Sequence, residues 1–521
     1  MAPSTEQYSC KNCSQPFTPH PDDLSFYEKM QVPVPRYCPP CRMQRRLVHR
    51  NERMLYLRPC DNCKTDGVSI YPTGTPWPVY CNPCWWGDSW DGKDFGMEYD
   101  HKRPFFEQYI ELRNKVPRIN LLCITSVNSE YTNNAEDNKN CYLLFAAGKN
   151  EDCMYGRLVE HCKSVVDCSW TYNSELCYEC LDVRQCYGCL YCERCQTSRD
   201  LLFCFDVRGS QNCILCTNLR NKSYCIENKQ YTKEEYEKKK KEILSDIASA
   251  KKRFEEMKSQ AIVKYAFQTK CVNTTGDYLF NCRDSRLMYD ASNAKDCGYC
   301  ADVEDPTDTL DCNNVYYKPE RCLDVMGSLQ SYNCAFSTYI IYCNSVQYSD
   351  GLQNCENCFG SIALKKSSYC ILNKQYSPEE YKKLREQIIA NMPEYGDFLS
   401  PETSPFKYNE TLAKDYFPDT KAEEIKTGTY GKENGKDVFA CVDCKKNFKI
   451  TPNEFAFYER MGLPLPLKDF ECRMQDRLRK RNPRKLWKRQ CMKCNTDIET
   501  TYAPDRPEIV YCESCYQQEV A

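Results

Sequence analysis

"DCSWTYNSELCYECLDVRQCYGCLYCERC", residues Asp167–Cys195, holds seven cysteines in twenty-nine residues. Cys168, Cys177, Cys186, Cys195, Cys204 and Cys213 stand nine apart, and Cys153 and Cys162 keep the same interval upstream. Stacked as "SELCYECLD", "VRQCYGCLY", "CERCQTSRD", "LLFCFDVRG" and "SQNCILCTN", the units share a central Cys between polar flanks. A looser array follows, including "AKDCGYCAD", "PERCLDVMG" and "LQNCENCFG". Short strands at a fixed beat point to a parallel β-solenoid. Two nonapeptides predict a coil of about eighteen residues with equivalent inward positions stacked in ladders. Cys is small and apolar enough to line such a dry interior. In a straight strand residues i and i+3 face opposite ways, so each C-x-x-C needs a corner between its cysteines.

The rival reading is metal. Cys186, Cys189, Cys192 and Cys195 form C-x2-C-x2-C-x2-C, near a ferredoxin run but without its x3 step and final Pro. The nine-residue beat continues through Cys204 and Cys213 without that cluster. The ladder is therefore preferred, and an iron–sulfur cluster is not expected.

Both arrays end alike, in "SYCIENKQYTKEEYEKKKKEI" and "SYCILNKQYSPEEYKKLREQI". Thr232-x-x-Glu235 and Ser377-x-x-Glu380 are capping boxes that open helices. The first helix is expected over 233–259, with Ile243, Ile247, Ala250, Phe254 and Met257 inward.

The chain has 521 residues and 41 cysteines. Its start, "MAPSTEQYSC", has no export-signal pattern, and no apolar run approaches the ~18 residues that span a bilayer. A cytoplasmic protein with reduced thiols is expected, where paired cysteines favour metal over disulfides. Acids and bases nearly balance, 73 against 71, with mildly basic ends and an acidic middle. Only His20, His49, His101 and His161 are present, which disfavours Cys/His or Ser/His nucleophilic catalysis. No phosphate-loop, dinucleotide, zinc-protease or nucleophile-elbow motif occurs.

The two ends match at an offset of 431. Cys10/Cys13 align with Cys441/Cys444, Cys41-Arg42-Met43-Gln44 with Cys472-Arg473-Met474-Gln475, and Cys60/Cys63 and Cys81/Cys84 with Cys491/Cys494 and Cys512/Cys515. C-x-x-C sets two thiolates on one tight knuckle, and two knuckles complete a tetrahedron around zinc. Pairing first with second and third with fourth is simplest, and interleaving stays open. Cys38 is matched by Asp469, which could supply an oxygen ligand beside Cys441, Cys444 and Cys472. Three or four zinc sites are expected.

After each second pair comes a basic helix candidate, "RMQRRLVHRNERMLYLR" in the first copy. Met43, Leu47 and Met54 can share one face. Arg42, Arg45 and Arg46, and in the second copy Arg473, Arg477, Arg479, Lys480, Arg481, Arg484 and Lys485, are candidates for phosphate contact on RNA or DNA. The alternative is that cations offset the negative zinc–thiolate sites.

"CPPCRMQRRLVHRNERMLYLRPCDNC", "VYCNPCWWGDSWDG", "RPFFEQYIELRNKVPR", "NSEYTNNAEDNKNCYLLF" and "LRNKSYCIENKQY" together resemble a family of large cysteine-rich zinc-ribbon proteins of bacterial candidate phyla. Its members often carry a CoA-transferase-type name, for which nothing in this sequence offers an acyl-CoA site. The resemblance covers nearly the whole chain. It implies zinc at Cys10, Cys13, Cys38 and Cys41 and at Cys60, Cys63, Cys81 and Cys84. Asp469 departs from that pattern.

The expected fold is mainly β with α: two cysteine-ladder parallel β-solenoids, each closed by a helix, flanked by duplicated zinc-ribbon or treble-clef-like units. The expected boundaries are a double zinc unit 1–90, a helical connector 91–120, a first solenoid 121–230, a helix 231–265, a second solenoid 266–376, a helix 377–392, a linker 393–438 and a C-terminal double zinc unit 439–521. The function expected is a non-enzymatic zinc-binding scaffold for RNA, a ribonucleoprotein or another protein, with no membrane partner. An iron–sulfur or thiol redox protein and a self-assembling structural protein are the alternatives.

Overall fold

Tyr142, Met154, Val166, Tyr178, Leu190, Leu202, Ile214 and Ile226 lie side by side in parallel register, each twelve residues from the next. The coil is thus twelve residues long, not eighteen. Residues 6–423 and 438–520 are described by this computed structural model, which mixes parallel β coils with helices and places cysteine clusters at both ends.

The corners explain the repeat. Nearly every third residue in the first array takes the left-handed region, as at Asn173, Leu176, Glu179, Asp182 and Gln185, with φ between +46° and +56°. Such a backbone is costly for residues other than Gly, and Asn and Asp tolerate it best. Four such corners per coil leave four inward positions three residues apart. Cys177, Cys180, Val183 and Cys186 occupy one coil, and all are buried. The corner expected inside each C-x-x-C is present, at Glu179 between Cys177 and Cys180. Nine and twelve are both multiples of three, so the nine-residue beat follows a diagonal of this inner lattice. Backbone pairing follows the step of twelve.

The lattice also explains why the inward residues are Cys, Ser and Asn. An inward N–H turns away from the ladder and needs an acceptor inside. The residue twelve before it supplies one: Cys180 N reaches Cys168 Sγ at 3.3 Å, Cys186 N reaches Ser174 Oγ at 3.1 Å and Cys162 N reaches Asn150 Oδ1 at 3.0 Å. The thiols donate in turn, Cys180 Sγ to Cys189 O at 3.2 Å. A small side chain that packs as an apolar group and still hydrogen-bonds suits this position.

The second array follows the same plan from Gln268 to Gln375. Its looser spacing comes from one eleven-residue step, Gln268↔Leu279, and one thirteen-residue step, Thr309↔Cys322. At Gly276, φ +127°, a Cβ would stand 1.8 Å from Met288 O, so only glycine fits that bulge.

Each array ends in a short antiparallel pair, Ser223–Ile226 with Lys229–Gln230 and Ser368–Ile371 with Lys374–Gln375. Both capping boxes form, at Thr232/Glu235 and Ser377/Glu380. The helix expected over 233–259 is two helices, Lys233–Leu244 and Ile247–Ser259, because Asp246 caps a second start by accepting from Ser249 N. Of its expected inward residues, Ala250 and Phe254 are buried, while Ile243, Ile247 and Met257 are only partly so.

The terminal units cross over. The helix Pro39–Leu47 of the N-terminal unit packs on the second array, and the helix Phe470–Arg479 of the C-terminal unit packs on the first. The helix expected to run on toward Met54 ends at Leu47, although Met43, Leu47 and Met54 are all buried. Between Trp85 and Phe105, aromatic residues staple the first unit to the second array: Phe105 lies 5.1 Å from Phe359. The segment expected as a linker is no loose tether in its described part. Phe398, Leu399, Leu412 and Ala413 are buried in the core; residues 424–437 of that segment lie outside the described residues.

Candidate metal centres

Four knuckles share one turn. In the first, Ser14 N donates to Cys10 O at 2.9 Å and Cys10 N to Gln15 O at 3.0 Å, with Ser14 in the left-handed region. Lys64, Lys445 and Asn495 repeat that conformation one residue after Cys63, Cys444 and Cys494. Each knuckle faces a second pair of ligands at the start of a helix. Cys38 precedes the helix Pro39–Leu47, Cys81 precedes Asn82–Trp86, and Cys512 precedes Glu513–Val520.

The first pair closes with the second and the third with the fourth. Cys10, Cys13, Cys38 and Cys41 form one set, and Cys60, Cys63, Cys81 and Cys84 another. Cys491, Cys494, Cys512 and Cys515 form a third, and Cys441, Cys444, Asp469 and Cys472 the fourth. Within each set the ligand atoms lie within 4.8 Å of one another, so each could hold a metal ion. Among the described residues, the coil cysteines form no such set. Cys186 and Cys195, which the sequence made candidate cluster ligands, instead donate to the Cys195 and Cys204 carbonyls.

Local polarity favours thiolate at one cysteine of each knuckle, Cys10, Cys63, Cys441 and Cys491, while burial raises Cys38, Cys81, Cys472 and Cys515 on the helix side. Burial raises the Cys10 thiol, but the amides of Cys13, Cys38 and Asn12 outweigh it and bring it down to about 6. Cys491 reaches about 6 in the same way, through the amides of Cys512, Cys494 and Lys493. At Cys63 the Thr65 hydroxyl and amide lead, again to about 6. Thiolate is the form that binds metal.

Asp469 takes the place of a cysteine and gains a second task. Its Oδ2 lies 2.6 Å from Cys444 Sγ, and its Oδ1 accepts from Cys472 N at 3.0 Å as the N-cap of Phe470–Arg479. Asp is among the best N-cap residues, whereas Cys38 makes no side-chain cap bond.

The basic residues expected to face phosphate mostly turn inward, which corrects that expectation. Arg42 Nε lies 2.9 Å from Asp311 Oδ1, and Arg46 Nη1 lies 2.6 Å from Asp324 Oδ1. In the second copy Arg473 and Arg477 both pair with Asp167, Arg477 at 3.0 Å. Arg481 pairs with Asp290 at 2.6 Å, and Arg484 with Asp302 at 2.6 Å. All six side chains are at most 7% exposed. Arg45 stacks on Tyr37 and donates to Phe398 O, and Lys480 pairs with Glu193. Arg479 and Lys485 remain exposed, the former 2.8 Å from Asp476. A buried guanidinium needs a carboxylate. The coil corners, where Asp is tolerated, supply Asp167, Asp182, Asp290, Asp302, Asp311 and Asp324.

The same docking is built twice. Asp23 meets the Tyr299 hydroxyl at 2.7 Å, and its counterpart Glu454 meets the Tyr155 hydroxyl at 2.5 Å. The offset is 431 between the units and 144 between the coils. Sequence reading missed the corner carboxylates. Five of the six, all but Asp290, stand one residue before or two after an inward Cys, and that recurrence was their signal.

No helix among the described residues is long and apolar enough to cross a membrane. No protein-family model and no curated protein matches the chain.

Proposed function

We propose that the protein is a zinc-organised, non-enzymatic binding scaffold. The observation that carries this reading is that each of the four ligand sets joins a knuckle to the start of a helix. Two of those helices bear the arginines that lock the units onto the coils. Metal at the knuckle fixes the helix start, and the helix fixes two cysteine-lined coils against each other. Zinc fits three thiolate tetrads and one three-thiolate, one-carboxylate set. An RNA or ribonucleoprotein partner has lost six of its ten expected contacts to buried ion pairs, so the platform serves a partner protein or a small ligand better.

Elemental analysis of protein purified without oxygen tests this. About four zinc per chain and negligible iron are expected, with a lower unfolding temperature after chelation. Stoichiometric iron, or a chelated chain that unfolds at the same temperature, overturns the reading.

A further inference from the structure

One cleft with about 110 Å³ of free volume, open to solvent, lies between the two coils beneath the N-terminal unit. Ala146, Leu122, Ile124, Leu329 and Ile341 supply apolar side chains to its lining. Asn134 and Asn314 also line it. Neither the oxygen nor the nitrogen of either carboxamide has a hydrogen-bond partner, and the Tyr339 hydroxyl also lacks one. Asn314 is 0% exposed. Buried polar groups are nearly always satisfied, so five unmatched atoms around one space call for an occupant.

The duplication shows what kind. A second space of about 60 Å³ is related to the first by 431 between the units and by 144 between the coils, or 145 past the thirteen-residue step. There Trp170 stands for Asn314, Tyr278 for Asn134, Asp290 for Ala146, Asp182 for Gly327 and Arg481 for Arg50. Parallel registers confirm the coil matches, since Thr171↔Val183 corresponds to Val315↔Ser328. In that copy aromatic and charged side chains take up part of the corresponding space. The Arg481 guanidinium lies 3.9 Å from the Trp170 ring and 3.7 Å from the Tyr278 ring, paired with Asp182 and Asp290. In the open copy both rings have become carboxamides and both carboxylates have become Gly and Ala. Arg50 turns instead to Glu52 at 2.7 Å, with the Tyr339 ring 5.9 Å away.

We propose that the open cleft binds a small uncharged planar heterocycle with neighbouring N–H and C=O groups, of the lactam or nucleobase class. Its edge pairs with the carboxamides of Asn134 and Asn314, and its face covers Arg50 and Ala146. The ring takes the volume that Trp170 and Tyr278 fill in the other copy. Loss of both carboxylates removes the ion pairs that Arg481 makes in the other copy, and Arg50 is engaged by Glu52; Glu136, Glu160, Lys149 and His161 bring both signs to the lining, so neither a cation nor an anion is singled out. A polyol would leave the apolar side chains unmatched.

Titration of the intact, zinc-loaded chain with uracil, hypoxanthine and 2-pyridone, followed by saturation-transfer NMR and calorimetry, tests the proposal. At least one probe is expected to bind with a Kd below about 1 mM. Asn314→Trp with Asn134→Tyr, which refills the cleft as in the closed copy, is expected to abolish binding without lowering the unfolding temperature. Asn134→Ala, a milder change, is expected to weaken binding at least about tenfold. Failure of all three probes to bind overturns the proposal, as does binding that Asn134→Ala leaves unchanged.

Discussion

Arg46 and Asp324 form an ion pair closed to water, with Nη1 2.6 Å from Oδ1 and neither side chain more than 2% exposed. They come from elements 278 residues apart. Asp311 holds the same guanidinium from 3.2 Å, so the helix Pro39–Leu47 is anchored by charge inside the protein. Asp311 keeps Arg42 if Arg46 is lost, but Asp324 is left without a partner. Arg46→Met is expected to cost about 3–5 kcal/mol, read as a fall in the denaturant midpoint. Arg46→Met with Asp324→Leu is expected to cost much less, because no charge is left unpaired. Equal losses in both variants would show that packing, not charge, holds the helix.

Asp469 carries a cap and a ligand position in one side chain. Asp469→Ala is expected to lose about 1 kcal/mol of helix capping and to release metal from its set first when a chelator is added. Asp469→Cys restores a four-thiolate set and is expected to hold that metal longest. Following zinc release with a chromogenic chelator separates the sites. If release from the two variants and the parent coincided, Asp469 would be a cap alone.

The thiols of Cys177, Cys180 and Cys192, buried in the first array and all shifted up, should be chemically silent in the folded chain. Burial leads in pushing the Cys180 thiol up to about 11, while Cys10 and Cys491 at the knuckles sit near 6. The thiolate is the nucleophile. Alkylation of metal-stripped native protein near pH 8, read by peptide mass spectrometry, is expected to label the exposed Cys13, Cys63, Cys444 and Cys494 and to spare Cys177, Cys180 and Cys192. Comparable labelling rates would mean that the coils open readily.

The inward set of the coils could be read from the sequence, because Cys and Ser recur at multiples of three wherever the lattice needs a small hydrogen-bonding side chain. Coil length could not. Nine-residue spacing of Cys168, Cys177 and Cys186 is the more visible diagonal, and only the pairing of Tyr178 with Leu190 reveals twelve. All four ligand sets were legible, since a knuckle and its partner each lie within a short stretch. The destination of Arg42, Arg46, Arg473 and Arg477 was not, because a basic helix looks the same whether its carboxylates belong to a distant corner or its phosphates to a partner.

Glu160 ties stability to pH. Burial, then the charge of its counterpart Glu304, raises its carboxyl from about 4.5 to about 8; Glu136 adds to this, while Arg184 and Lys149 oppose it. The folded chain therefore keeps this proton longer than the unfolded one. Its effect is flat below about 4.5, stability falls as pH rises from there toward 8, and the effect levels off above. Glu160→Gln is expected to flatten that part of the unfolding-temperature profile between pH 5 and 8. An unchanged slope would assign the decline to other groups.

Crossed docking sets a condition on folding. Arg42 and Arg46 lie in the first half of the chain and their carboxylates, Asp311 and Asp324, in the second; Arg473 and Arg477 lie in the second and Asp167 in the first. A chain cut near residue 265, after the helix Ile247–Ser259, leaves each fragment with one unit and the coil on which the other unit docks. Each fragment alone would bury unpaired guanidinium groups or expose a helix face that carries Met43 and Leu47, or Met474. Fragments 1–265 and 266–521, co-expressed with zinc, are expected to purify as a one-to-one complex with the unfolding temperature of a single cooperative unit. Either fragment alone is expected to aggregate. Two fragments that each fold separately as stable monomers would show that every unit closes on its own coil, and that the crossed ion pairs are not what joins the ends to the middle.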